Sequence, residues 1–452
     1  MPALRETVHD GSAVGASVLK RGASAPPVTE TTPGFHRRDG ALYCDELALD
    51  TIAAMVGTPA YVYSAQSIRS QFQRLDGALS GCRHRLHFSV KSNSNLAVLA
   101  LLRSLGAGVD IVSGGELYRC LLAGFTGPDV VFSGVGKTAA ELREALEARV
   151  KLVNVESEGE LELLDRIAGE MKLVAPVALR INPEVTVDNP HAYIRTGEKG
   201  MKFGVPYDRA IPVGLRALEM KHVALLGLDM HIGSQISNLE PYRQSLEKLL
   251  DVLAELKTQG ADQIRFLDIG GGLAVTYDTE DAADVEGFAV GIMDAVRPTG
   301  LELILEPGRF IVGNAGALVT TVLDRKISGG KNYIVTDAGM NDLLRPSHYQ
   351  AFHRIESTAG RRSQIVADVV GPICESGDFF ALDRTVDDVQ VGERLAVLSA
   401  GAYGFVMASN YNSRPRTPEV LVDGDRYAVV RQRETYAELV RNETVSADWR
   451  ML

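Results

Sequence analysis

Between residues 130 and 181 the chain reads Val130-Val131-Phe132, then Ala139-Ala140-Glu141-Leu142-Arg143-Glu144-Ala145-Leu146-Glu147-Ala148, then Leu152-Val153-Asn154-Val155, then an amphipathic run over 159–169, then Val177-Ala178-Leu179-Arg180-Ile181. Short β-branched, apolar runs alternate with stretches of helical period, the pattern of parallel strands joined by crossover helices. The alternation continues in both directions, with strand-like runs at 86–91 and 109–112 before it and at 225–231, 264–269 and 301–306 after it, and a further helical stretch at 241–258. Eight strands with right-handed crossovers close into a (β/α)8 TIM barrel. An open doubly wound sheet is the alternative, but it gathers its ligand groups at one switch point. Here Lys91, Ser113-Gly114-Gly115, His231, Gly270-Gly271-Gly272 and Glu306 all lie at or just after strand C-termini, around the whole rim.

After residue 311 the texture changes to strand-like runs at 318–323, 333–336, 364–370 and 394–398, separated by turn-forming residues. The expected fold class is therefore α/β, a barrel over 61–310 followed by a mainly β domain over 311–452. Residues 41–42 look extended, so 36–60 is expected to pack on the β domain. Residues 1–35 mix Arg5, Glu6, Asp10, Lys20 and Arg21 with small residues and Pro26-Pro27, and lack the apolar core of a signal peptide. They are expected to be a disordered extension.

The 452 residues are 45% hydrophobic and 23% charged, an ordinary globular composition with room for two domains. A formal net charge of -11 argues against a nucleic-acid partner, whose phosphates call for a basic face. No apolar run approaches the roughly 20 residues of a membrane span. Cys44, Cys82, Cys120 and Cys374 are scattered without paired spacing, so no metal site is expected and a reducing compartment, the cytoplasm, fits them.

Lys91 closes the apolar run His87-Phe88-Ser89-Val90, where desolvation of its stem is expected to lower its pKa and free the amine for an aldehyde cofactor. A lysine after a strand is ordinarily just solvated, so its companions decide. Gly270, Gly271 and Gly272 follow a strand and leave backbone N–H groups free to converge on an anion, a phosphate being the natural occupant; a tight turn that merely needs glycine is the other reading. The run lacks a P-loop's lysine and hydroxyl, which disfavours nucleoside triphosphates. Glu306-Pro307-Gly308-Arg309 sets a carboxylate beside a guanidinium on a constrained turn. In an enzyme of pyridoxal phosphate (PLP) such a carboxylate keeps the pyridine nitrogen protonated, while the guanidinium takes a phosphate or a substrate carboxylate; an internal ion pair is the plain alternative. His231 could stack on a flat cofactor with Ser234 reaching its phosphate, although a lone histidine is more often structural. Cys374-Glu375 pairs a proton donor with an amine receptor, although a cysteine is more often filler.

Together these motifs resemble the group IV PLP-dependent decarboxylases of alanine-racemase-type fold, and among them the diaminopimelate decarboxylase family. The likeness runs through Gly57-Thr58-Pro59, Phe88-Ser89-Val90-Lys91-Ser92-Asn93, Val112-Ser113-Gly114-Gly115-Glu116-Leu117, His231 to Gln235, Asp268 to Leu273, Glu306 to Arg309, Asp337 to Asp342, Arg345-Pro346, Gly371 to Asp378, Gly401-Ala402-Tyr403-Gly404 and Asn412 to Pro415. The resemblance implies PLP as cofactor, Lys91 as the Schiff-base lysine and His231 as the ring-stacking residue. It further implies Ser234, Gly272 and the turn from Glu306 through Pro307 and Gly308 to Arg309 as cofactor-binding positions, with Tyr403 at the phosphate. Arg309, Arg345, Tyr349, Glu375 and Tyr403 resemble positions that grip the far carboxylate and amine of the substrate. Cys374 resembles a proton donor contributed across a homodimer whose active sites are shared. The family's aromatic-alanine-valine-lysine-alanine-asparagine run carries serine at 89 and 92 here, which is expected to leave the lysine geometry intact.

The implied activity is decarboxylation of meso-diaminopimelate to L-lysine and carbon dioxide. A rival reading is decarboxylation of ornithine, arginine or carboxynorspermidine. An ornithine site needs acidic groups for a distal ammonium, whereas Arg345 beside Glu375 suits the zwitterionic end of diaminopimelate. A non-catalytic PLP-binding regulator should have lost Lys91 or Cys374, and racemisation on the same barrel has no use for Arg345 and Glu375.

Overall fold

A computed structural model describes residues 34–187, 196–280, 282–360, 362–447 and 449–450. The expected disordered extension falls outside them except for its last two positions, and Phe35 already begins a strand, Phe35–Arg38.

Eight parallel strands form the barrel: His84–Ser89, Gly108–Ile111, Val130–Phe132, Leu152–Val155, Ala175–Asn182, Val223–Asp229, Phe266–Asp268 and Glu302–Leu305. The last pairs with the first, with Leu303 opposite His84 and Leu305 opposite Leu86, so the sheet closes. Strands buried on both faces read as continuous apolar runs, which is why they were visible in the sequence. The crossover helices have local causes. Thr138 caps Ala139–Ala148 through a reciprocal pair with Glu141, and Ser157 caps Glu158–Met171 by accepting from the Glu160 amide. Leu161, Leu164, Ile167 and Ala168 then fall on one stripe and pack onto the sheet.

The second sheet is mainly antiparallel. It runs from Phe379–Asp387 through Gln364–Val370, Lys331–Thr336 and Gly316–Ser328 to Ala60–Ser64, Glu419–Asp423 and Arg426–Arg431, with Arg394–Val397 also on Gly316–Ser328. A boundary at 61 therefore cuts a strand. Ala60–Ser64 lies inside the second sheet, between Gly316–Ser328 and Glu419–Asp423, and the chain enters the barrel layer only through the helix Ala65–Ala78. That helix fills the slot between the last and first barrel strands, against Val285–Val296 and Leu96–Ser104.

The N-terminal strands Phe35–Arg38, Ala41–Cys44 and Leu47–Ala48 form a small sheet of their own. It packs on the β domain: Leu42, Cys44 and Leu49 share a buried cluster with Val319, Leu398 and Val420, and the Leu42 amide donates to the Thr358 carbonyl at 2.8 Å. The C-terminal ends of the barrel strands face loops of the β domain, and the polar residues gather at that junction.

Candidate active site

Lys91 sits in the short 3-10 turn Val90–Ser92, directly after the first barrel strand. The turn is fastened to the β domain: the Tyr403 amide donates to the Ser92 carbonyl at 2.8 Å, and the Asn93 side chain to the Gly401 carbonyl at 3.1 Å. The Lys91 ammonium meets the buried Asp110 carboxylate at 2.8 Å. Burial works against its charge, but Asp110 and Glu306 outweigh burial and hold the lysine pKa above its ordinary value. The expected lowering by desolvation is thus overturned in the uncombined lysine, because two carboxylates face it. Ser89, one of the two serines in the lysine motif, donates to the same Asp110 oxygen at 2.9 Å, and Ser92 donates to the Ser89 carbonyl at 2.7 Å.

Glu306 directly follows the last barrel strand and is 3% exposed. Its carboxylate accepts from Ser133 Oγ at 3.0 Å and lies close to Asp229 and Asp268, the ligand oxygens of the three acids all within 4.8 Å of one another. Burial, and then the negative charge of Asp110, push the Glu306 pKa up to about 7. Lys91 and Arg180 are the nearby cations, but Lys91 is paired with Asp110 and Arg180 with Glu156. Glu306 therefore gains from any cationic N–H set against it.

His231 accepts from the Gly271 amide through Nδ1 at 3.1 Å, and burial followed by the Lys91 charge holds its pKa well below the usual histidine value. The imidazole is neutral, with its proton on Nε2. Close packing explains two of the glycines: a Cβ on Gly270, at φ 68°, would stand 2.6 Å from His231 Nδ1, and one on Gly271 would stand 2.1 Å from the Glu306 carbonyl oxygen. The expectation of backbone amides left free along this run narrows accordingly. Gly270 donates to Asp268 and Gly271 to His231, while the amides of Gly272 and Gly308 have no partner among the described residues.

Beyond the glycines, Arg309 donates from Nε and Nη2 to Ser234 Oγ, both at 3.2 Å, and its guanidinium lies 4.9 Å from the centre of the Tyr403 ring. Its Nη1 donates to Tyr277 Oη at 2.6 Å, and Arg345 Nη1 donates to the same oxygen at 2.9 Å. The two arginines are 7% and 6% exposed, and among the described residues neither has a carboxylate partner. Tyr349 closes the helix Arg345–Tyr349, near enough to Arg309 to act on its pKa.

Cys374 and Glu375 are not brought to this cluster in the same way. They stand on an exposed turn held by Asn412, whose side chain accepts from the Cys374 amide at 2.9 Å. The sequence reading missed Asp110, Ser133, Arg180, Tyr277 and His353. Asp110 carried a usable signal, since it precedes the end of a barrel strand; the others show their role only through contacts across the fold.

The donor set suits one kind of molecule. An amine and a buried carboxylate stand on one side; on the other stand two guanidiniums without a carboxylate partner and two amides without a partner among the described residues, with Ser234 and Tyr403 beside them. A flat heteroaromatic aldehyde with a basic ring nitrogen at one end and a phosphate at the other fits that polarity, and leaves a guanidinium for a second anion.

Residues 65–313 match the family described as the pyridoxal-binding domain of pyridoxal-dependent decarboxylases. The chain is 48% identical over 412 residues to a diaminopimelate decarboxylase of Pseudomonas aeruginosa, covering 91% of this chain and 99% of that one. It is 44% identical to the diaminopimelate decarboxylase of Aquifex aeolicus over 413 residues, 91% of this chain and 97% of the relative. The crystal structure of a diaminopimelate decarboxylase from Helicobacter pylori complexed with L-lysine superposes with a TM-score of 0.84 at 38% identity, covering 87% of this chain and 98% of that chain.

Proposed function

The chain belongs to the pyridoxal-dependent decarboxylases and, within them, to the diaminopimelate decarboxylases, and from that premise we propose how its residues divide the work. The reaction is the PLP-dependent decarboxylation of meso-diaminopimelate to L-lysine and carbon dioxide, the last step of lysine biosynthesis. The observation that carries the substrate assignment is the pair of buried guanidiniums, Arg309 and Arg345, without carboxylate partners among the described residues. Uncompensated buried cations are costly, so the site is built for anions. A decarboxylase for ornithine would place acids there to meet a distal ammonium.

When bound, PLP supplies an aldehyde for the substrate amine and an electron-withdrawing ring that accepts the electron pair left by departing carbon dioxide. Lys91 would hold the aldehyde between turnovers. Glu306 would keep a proton at the ring nitrogen, and the neutral His231 would support the ring. Ser234, Gly272, Gly308, Arg309 and Tyr403 would hold the phosphate, with Gly270, Gly271 and Pro307 shaping the loops that carry them. Arg345, with Arg309, Tyr349 and Tyr403, takes the distal carboxylate, and Glu375 of the partner subunit the distal amine. Cys374 of the partner subunit protonates the α-carbon as general acid.

The exposed position of Cys374 and Glu375 supports an active site completed by a second copy, and so a homodimer. Four unpaired cysteines, one of them exposed, support a reducing compartment, which we take to be the cytoplasm. We retain the division into a barrel over 61–310 and a β domain over 311–452, with Ala60–Ser64 lent to the latter.

The test is direct. Purified protein with PLP is incubated in parallel with meso-diaminopimelate, ornithine and arginine, and carbon dioxide and the amino-acid product are measured. L-Lysine from diaminopimelate alone is expected. Turnover of ornithine or arginine instead would overturn the reading of Arg345 and Glu375.

A further inference from the structure

Arg345 is held by one edge. Its Nη1 donates to Tyr277 Oη at 2.9 Å and meets His353 Nε2 at 3.0 Å, whereas Nε and Nη2 have no partner among the described residues. His353 is 0% exposed, and its Nδ1 lies 2.9 Å from the Leu398 carbonyl oxygen, an acceptor only. The proton therefore sits on Nδ1, and the Nε2 lone pair receives the arginine. Burial and the Arg345 charge keep the ring neutral, holding its pKa well below the usual value. Tyr277, 7% exposed, packs edge-on against His353 with ring centres 5.5 Å apart and takes Arg309 Nη1 as well. Tyr277 comes from the loop that begins with the glycines, His353 from the β domain, and each would be an ordinary core polar residue without the other.

An arginine binds a carboxylate best through two parallel N–H donors in one plane. Pinning Nη1 leaves the Nε–Nη2 edge as such a fork, and fixes the rotation of the guanidinium before any ligand arrives. From this geometry we infer that Tyr277 and His353 are positioning residues that set substrate specificity, by presenting the free edge of Arg345 to the carboxylate at the substrate's far end. The inference rests on the assignment of Arg345 to that carboxylate. Ser234 holds the opposite side of Arg309, so the phosphate end of the site depends on Tyr277 much less.

The product and its decarboxylated counterpart separate this from a structural role. L-Lysine and cadaverine differ by the distal carboxylate alone, and both are titrated into PLP-loaded wild type and Tyr277→Phe, followed by the change in cofactor absorbance. The substitution removes one oxygen and keeps the ring contacts. Lysine affinity is expected to fall about tenfold with cadaverine affinity unchanged, the loss of one oriented charge-assisted hydrogen bond. His353→Asn, too short to reach Arg345, is expected to give the same selective loss, and keeps the test alive if the first variant does not fold. Equal losses for both ligands, no loss, or loss of PLP affinity in place of lysine affinity would overturn the inference. Failure of the underlying assignment looks different: the wild type itself would then show no preference for lysine over cadaverine.

Discussion

Glu306 carries a proton across a pH range where carboxylates are normally ionised, and the cost of that position is measurable. Its pKa rises from 4.5 to about 7 in the folded chain. Between these values the native state binds more protons than the unfolded state, so this group's contribution to stability is greatest below about pH 4.5 and is lost as pH rises through about 7. Glu306→Gln cannot ionise. In the PLP-free protein, the urea midpoint of the variant is expected to drop less between pH 5 and pH 8 than that of the wild type; parallel midpoints would show that Glu306 titrates normally. At this scale the sequence showed chemically unusual residues just past strand ends, Lys91, His231 and Glu306, and the fold brings these three to one rim. It was silent on Tyr277 and His353, whose meaning comes from Arg345, 68 and 8 residues away. The lysine pKa went astray for the same reason: burial can be guessed from an apolar run, but the facing Asp110 comes from the next strand.

Glycines at the level of loops and helices divide into those the packing demands and those it does not. Gly271 presses against the Glu306 carbonyl, where an added Cβ has 2.1 Å and only backbone to displace. Gly271→Ala is expected to destabilise by about 1–3 kcal/mol and to weaken PLP binding, since it pushes apart the loops that carry His231 and Glu306. Gly159 lies in Glu158–Met171 with nothing within 4 Å of its Cβ position, and Gly159→Ala is expected to stabilise by about 0.5–1 kcal/mol through helix propensity. Denaturant unfolding of the two variants, with PLP titration of the first, checks both signs. The barrel elements themselves were legible because burial on both faces makes most of the strands short, largely apolar runs. Ala60–Ser64 is just as buried, but its place is decided by pairings with Gly316–Ser328 and Glu419–Asp423, which no local pattern encodes.

For the molecule as a whole, the proposed sharing of active sites across a homodimer makes a numerical prediction. Lys91→Ala and Cys374→Ala are each expected to be inactive or nearly so. Mixed, unfolded and refolded together, they form hybrid dimers in which one site keeps both native residues and the other has lost both. Random pairing then restores about a quarter of the wild-type activity. No recovery would place Cys374 in its own chain's site or outside catalysis.

The strand Ala60–Ser64 also bears on how the protein is made. It leaves the ribosome before the whole barrel, yet its two neighbours in the sheet, Gly316–Ser328 and Glu419–Asp423, come only after it. Until then an apolar Ala60-Tyr61-Val62-Tyr63 edge waits unpaired, the kind of segment that recruits other chains. Nascent chains cut short before residue 316 should therefore collect in aggregates rather than persist as free barrels, which makes the arrival of the β domain the checkpoint for the barrel's own synthesis.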